Sequence, residues 1–325
     1  MLTEPILIVD AYNTFMRSYC AYPAMAPNGE HIGGVVGFLK TLRRLIDLMQ
    51  PSKVFIVWEG GGSSRRRSLY SAYKQQRRPG KLNRFYEDDL PDNDDNKLKQ
   101  VSQLVKLLKP MPVCQLYVSD VEADDVIAYL TNRLFKEQNK IILSTDKDMY
   151  QLLDERTHTY DLNKKEFVTP ETVMATFHIP PRNFALAKTI CGDGSDNIPG
   201  IKGVGFKTAA RRFPILQQDQ DILLQDVINY AATRVDESAV YKNVAKAGED
   251  LRRNWRLVYL DGSMLSMGSA GKLENVIENF KPEINKLGVI KAAIECGANG
   301  HLDIDGMLYS MNHLTIVKPQ VQQNV

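Results

Sequence analysis

Apolar positions along this chain follow two alternating periods. Residues 6–9 (in ILIVD) and 54–58 (in VFIVWE) are continuous apolar runs of the length and composition of strands buried on both faces. Between them Val36, Leu39, Leu42, Ile46 and Met49 recur at three and four residues, which predicts a long amphipathic helix and hence a β-α-β unit. The pattern continues with a helix near 97–109, a strand at 113–118, a helix at 120–137, a strand at 140–144 and a helix from 147. Such alternation predicts an α/β fold with a central, mostly parallel sheet flanked by helices. After about residue 178 the helical period is broken by GDGSDNIPGIKGVG, and no strand-like run returns before residues 257–260. We therefore divide the chain into an α/β core at 1–178 and a helical region at 179–325. Residues 60–96 have no sustained apolar period and open with three glycines and two serines, so they form an insertion whose length points to function. The tail beyond about Met311 loses periodicity and reads as loose or as a partner-binding extension.

Composition adds exclusions. With 325 residues and 43% hydrophobic content the chain can build its core without covalent staples. The four cysteines are far apart, form no CxxC pair and have too few histidines nearby for a zinc site, which fits a reducing, cytoplasmic setting. Glu4 and Asp10 stand where a signal peptide needs a basic start and an apolar centre, and no apolar run approaches the roughly 20 residues of a membrane span. The expectation is a protein neither secreted nor membrane-bound.

A net charge of +2 hides segregation along the chain. Residues 65–84 hold eight basic side chains and no acidic one, and Glu87, Asp88, Asp89, Asp92, Asp94 and Asp95 follow at once. Block charge of each sign predicts an exposed, extended segment. Within it Tyr70, Tyr73, Lys74, Arg77 and Arg78 interleave aromatics with cations at helical spacing, a surface able to stack on bases and pair with phosphates of a single strand. An ordinary solvated basic helix has the same appearance.

The chemistry lies in nine acidic residues: Asp10, Glu59, Glu122, Asp124, Asp125, Asp146, Asp148, Asp193 and Asp196. Three of their five stretches are apolar runs ending in a carboxylate, and the ends of parallel strands meet along one edge of a sheet. Gathered carboxylates repel one another, so a fold that collects them must hold cations between them. Oxygen-only ligands point to Mg²⁺ or Mn²⁺, and paired ions of that type serve phosphodiester cleavage. Each stretch also has a plain reading as a helix cap: Ser119 with Glu122 forms an S-x-x-E pattern, and Asp10 and Asp146 each precede a helix. Convergence of all five favours a shared site. Downstream, Gly203-Val204-Gly205 before a helix starting near Lys207 offers backbone N–H groups to a phosphate, with Lys207 and Thr208 beside them.

In their order, EADDVI from 122, STDKDM from 144 and GDGSDNIPGIKGVGFKTA from 192 resemble the strings of the 5′ nuclease or flap endonuclease family. That family includes the 5′-nuclease domain of bacterial DNA polymerase I and stand-alone phage enzymes, and the resemblance runs from about 5 to 215. It implies a PIN-like core and a Mg²⁺-dependent 5′–3′ exonuclease and flap endonuclease, acting at flaps, nicks and RNA-primer junctions in replication or repair. It also implies a monomer in a bacterial or phage-infected cell, working beside replication proteins such as a single-strand-binding protein. In family terms Asp10, Glu59, Glu122 and Asp124 would hold a first Mg²⁺, and Asp146, Asp148, Asp193 and Asp196 a second, with Asp125 shared or behind them. The 60–96 insertion would be the helical arch, where Tyr73, Lys74 and Arg77 steer the 5′ strand and Lys74 and Arg77 offset charge on the phosphate. The stretch 188–215 would be a helix-hairpin-helix element holding the duplex backbone, with K⁺ at the 203–205 turn. Glu59 departs from the family's usual aspartate. Two alternatives stand beside this reading: a PIN-type ribonuclease, and a junction-binding protein whose site Glu59 has weakened.

Overall fold

The computed structural model describes residues 2–75 and 94–316. In chain order the first half comprises β1 (Ile6–Asp10), α1 (Ala11–Ala21), α2 (Gly33–Met49), β2 (Lys53–Trp58), α3 (Ser64–Leu69), α4 (Asp94–Leu108), β3 (Cys114–Tyr117), α5 (Ala123–Tyr129), β4 (Lys140–Leu143), β5 (Thr157–Asp161) and β6 (Glu166–Val168). Every residue of β1 is buried, as its unbroken apolar run requires, and β1 lies at the centre of the sheet. The order among the described residues is β3-β2-β1-β4-β5-β6, parallel throughout except for the antiparallel pair β5–β6. Chain order reverses between β1 and β4, so a crevice opens at the carboxyl ends of these strands, where open α/β sheets place their ligands.

The second half is helical: α6 (Pro170–Phe177), α7 (Pro181–Cys191), α8 (Phe206–Arg212), α9 (Leu224–Ala232), α10 (Ala239–Lys246), α11 (Gly248–Val258), α12 (Met267–Glu278), α13 (Lys286–Glu295) and α14 (Ile304–Met311). These helices do not form one body. Ile179, Leu186, Val204, Phe213, Val227, Tyr241 and Leu251 build a separate core, from α7 to α11. Beyond it the chain returns to the sheet: Leu260, Leu265 and Leu273 pack on one face with α5, while Val289, Met307, Met311 and Leu314 join α1, α2 and α4 on the other. Burying each such aliphatic side chain contributes about 1.5–3 kcal/mol, so these returning helices complete the core.

Several local expectations are corrected. Residues 257–260 are not a strand: Leu257 and Val258 end α11, and their apolar side chains pack beside Tyr73. The helix expected at 120–137 is α5 followed by a π-helical turn at Leu130–Leu134, and the one from 147 is a 3₁₀ helix at Lys147–Leu152. Ser119 does not cap α5, because Glu122 itself is the cap residue and its carboxylate is engaged elsewhere. Strands β5 and β6 escape the apolar-run criterion, since THTYD buries Thr157 and Thr159 on a polar pattern. Finally, Tyr70 to Lys74 do not continue a helix: α3 stops at Leu69, a turn follows, and Lys74 has φ +58°.

Candidate metal centre

The site is assembled at the carboxyl edge of the sheet by backbone constraints that bring five segments together. Asp10 ends β1 and caps α1, accepting from the Asn13 N–H at 3.1 Å, so its capping and site readings hold at once. Its other oxygen accepts from the Ser144 hydroxyl at 3.0 Å, and the same hydroxyl accepts from the Asp146 N–H at 3.1 Å, tying the ends of β1 and β4. Beyond β2, Gly60 is required by close approach: a Cβ there would lie 1.8 Å from the Val118 carbonyl oxygen and 2.4 Å from that of Val121. That contact pins the loop carrying Glu122 against Glu59. The fifth segment follows α7, where Asp193 and Ile198 exchange backbone hydrogen bonds of 2.9 and 2.8 Å. A Cβ on Gly200 would meet the Cys191 carbonyl oxygen at 2.0 Å, so glycine alone lets GDGSDNIPG fold back so tightly.

Eight of the nine acids fall into two groups, and Asp125 stands apart on Arg66. Asp10, Asp124 and Asp146 feel one another's charge, with Glu59 and Glu122 at the margin. Burial, resisted by the Asn13 and Ser144 hydrogen bonds and reinforced by Asp146 and Glu59, pushes the Asp10 carboxyl up to about 7. Asp124 is pushed well above the carboxylate range by burial and by Asp146. It makes no hydrogen bond or ion pair among the described residues. The second group is Asp148, Asp193 and Asp196, from which one oxygen each lie within 4.8 Å of one another. Asp146, read from the family with this second group, sits electrostatically with the first.

Cationic side chains already answer both groups. Lys188 of α7 is buried, its ammonium pairing with Asp148 and, at 2.6 Å, with Asp193. Burial works against the charged Asp193, yet Lys188 and the hydrogen bonds from Ser195 hold its carboxyl down at about 2. Lys74 pairs with Glu122 at 2.9 Å and lies 3.9 Å from Asp196, so it stands between the two groups. Arg66 is fully buried and forks onto Asp125 at 2.6 and 2.8 Å, with a further contact to Glu122 at 2.9 Å.

Asp125 therefore faces Arg66 with both oxygens. Glu59 accepts from the Gly62 N–H at 3.1 Å and the Ala123 N–H at 3.3 Å, stitching the turn after β2 to the start of α5. Loss of bulk water and then the charge of Glu122 push its carboxyl up. Tyr73, expected on an exposed stacking surface, is instead 5% exposed and donates to Glu122 at 3.1 Å. Arg77 and Arg78 lie outside the described residues. At the glycine turn Gly203 has φ +78° and Gly205 caps α8, both with open space where a Cβ would stand; Lys207 is exposed and Thr208 half-buried.

Sequence reasoning missed Lys188 and Arg66. Lys188 carries a signal, since a lysine inside the apolar stretch FALAKTI is costly unless paired. Arg66 carries none: nothing separates it from Arg65 and Arg67 except the Ser63 hydroxyl that accepts from its N–H.

An all-carboxylate donor set, an unpartnered Asp124 and two lysine ammonium groups drawn into it fit a hard divalent cation. Residues 5–178 match the family model described as 5′-3′ exonuclease, N-terminal resolvase-like domain. The chain belongs to the 5′–3′ exonuclease family. Relatives within it include the 5′-3′ exonuclease of Buchnera aphidicola subsp. Schizaphis graminum, 31% identical over 209 residues that make up 63% of this chain and 68% of the relative. The thermostable DNA polymerase I of Thermus thermophilus is 32% identical over 215 residues, 65% of this chain but 24% of the polymerase. The fold of this exonuclease-family chain is also that of bacteriophage T5 5′-exonuclease bound to divalent zinc ions, at TM-score 0.67 and 19% identity, covering 84% of this chain and 98% of that one. No described helix is long and apolar enough to cross a membrane.

Proposed function

We propose that this chain is a structure-specific 5′ nuclease, hydrolysing phosphodiester bonds of DNA near 5′ ends at flaps, nicks and RNA-primer junctions with two Mg²⁺ ions, or Mn²⁺ in their place. The observation that carries the reading is the pair of carboxylate groups at the carboxyl edge of the sheet, one around Asp10, Asp124 and Asp146, the other Asp148, Asp193 and Asp196. Asp10, Glu122, Asp124 and Asp146 would hold one ion and Asp148, Asp193 and Asp196 the other. Such ions supply an activated water and a counter-charge for the leaving oxygen.

The chain's own residues do the rest. Lys74, partly exposed and reaching both groups, offers its ammonium to the scissile phosphate and offsets the charge that builds there. Arg77 of the basic insertion would serve the same end. Glu59 positions the start of α5 through the Ala123 N–H instead of binding metal itself. Gly203, Gly205, Lys207 and Thr208 hold the duplex backbone as a helix-hairpin-helix between α7 and α8, with K⁺ at the turn. The test is cleavage of end-labelled flap, nicked and gapped duplexes with and without Mg²⁺. Asp146→Ala and Asp148→Ala should each abolish cutting while flap binding persists; full activity in either variant removes the proposal.

A further inference from the structure

We infer that Arg66 is a positioning residue of the nuclease reaction, through which the C-terminal end of α11 fixes the orientation of Glu122 and Asp125. The inference rests on the nuclease reading above. Arg66 is 1% exposed, and each of its three guanidinium nitrogens donates to a partner. Its Nε donates to the Leu257 carbonyl oxygen at 3.0 Å, Nη1 to Glu122 at 2.9 Å and Asp125 at 2.6 Å, and Nη2 to Asp125 at 2.8 Å. The backbone of the same residue is held by Ser63, so both ends of the side chain are anchored.

Three chain segments thus meet on one planar group. The Leu257 carbonyl is one of the last of α11, lacks an intrahelical donor and carries the negative end of the helix, so it both satisfies and orients the cation. Glu122 is then gripped from three sides, with Arg66 and Tyr73 on Oε2 and Lys74 on Oε1. Helix α11 lies beyond the residues 5–178 that match the family model, yet its end closes the arrangement behind the carboxylates. An ammonium cannot replace this fork, because it has no planar, divergent set of N–H groups with which to hold a carbonyl and two carboxylates in fixed directions.

Arg66→Lys keeps the charge and removes the fork, which separates orientation from electrostatics. Three measurements are made on the full chain: Mn²⁺ binding by calorimetry without DNA, thermal unfolding, and kcat and KM on a labelled flap duplex. We expect Mn²⁺ binding about 10-fold weaker or more, the range for loss of a group that orients a metal ligand. The fall should appear in kcat, with KM held within about 2-fold. A residue that only braces the fold would lower the unfolding temperature and leave Mn²⁺ affinity of the folded protein unchanged. Should Arg66→Lys not fold, Arg66→Gln with Asp125→Asn removes both charges, keeps a neutral hydrogen bond, and should weaken Mn²⁺ in the same direction. Wild-type Mn²⁺ affinity and kcat in a folded variant would overturn the inference. Failure of the unaltered protein to cut any flap would overturn the nuclease reading instead, and calorimetry would still report on Arg66.

Discussion

Replacing Lys188 by methionine keeps the aliphatic stem and deletes the ammonium that bridges Asp148 and Asp193. The pair is almost wholly buried, with side chains 8%, 12% and 15% exposed, so solvent screening does little to soften the loss. Asp193 sets the scale: a carboxyl held at about 2 against an ordinary 3.8, by Lys188 together with the Ser195 hydrogen bonds, corresponds to about 2 kcal/mol of stabilisation of the carboxylate. Asp148 shares the same ammonium, and breaking a buried pair by removing one partner costs about 3–5 kcal/mol. We therefore expect Lys188→Met to lose about 3–5 kcal/mol in urea unfolding at neutral pH with a chelator present. Excess Mn²⁺ should recover much of that loss, because a ligand that binds only the native state adds stability by mass action and the variant presents one positive charge fewer against it. The measurement is four unfolding curves, wild type and variant, each with chelator and with Mn²⁺. Equal destabilisation in both conditions would refute the argument that Lys188 fills a cation's place, as would the absence of any loss with chelator.

The first carboxylate group predicts the opposite sign. Asp124 makes no hydrogen bond or ion pair among the described residues and is pushed up by burial and Asp146, so Asp124→Asn should stabilise the metal-free protein while ending cleavage. Unfolding with chelator and the flap assay check both halves, and a variant less stable than wild type would contradict the first. For Asp10, raised from 3.8 to about 7, the folded state binds the proton more tightly than the unfolded chain; its contribution to stability is full below 3.8 and declines as pH rises through 7. The stability difference between wild type and Asp10→Asn, followed by urea unfolding from pH 5 to pH 8 with chelator, should move against wild type as pH rises. A difference that stayed constant would show that burial does not perturb Asp10.

Much of this was legible before the structure. The apolar run ILIVD reads as a strand buried on both faces ending in a carboxylate, and it is β1, whose Asp10 stands at the switch between β1 and β4. The close backbone approach at Gly60 and Gly200 was not legible: the glycines after β2 read only as the opening of an insertion, because nothing local shows which carbonyl a Cβ would meet. What could not be read is which acids are spoken for. Asp125 and Asp124 are neighbours in sequence, yet one meets Arg66 with both oxygens and the other makes no hydrogen bond or ion pair among the described residues, a difference set by the direction each takes from the first turn of α5. Tyr73 departs from its pattern for a related reason: charge and aromatic spacing suggest an exposed helix, whereas the chain turns after α3 and tucks the ring against Leu257 and Val258. β5 was lost because threonines, not aliphatics, fill its buried positions.

The return of the last helices to the sheet has a consequence for how the molecule is made. Val289, Met307, Met311 and Leu314 roof the same apolar layer as Leu39 and Leu42, some 250 positions apart along the chain. During synthesis the early strands must wait, with that layer open to water, until residues 289–314 have left the ribosome. A chain stalled before residue 289 would carry its acidic crevice but not its lid of aliphatic side chains, and would be a substrate for chaperones before it could act on DNA.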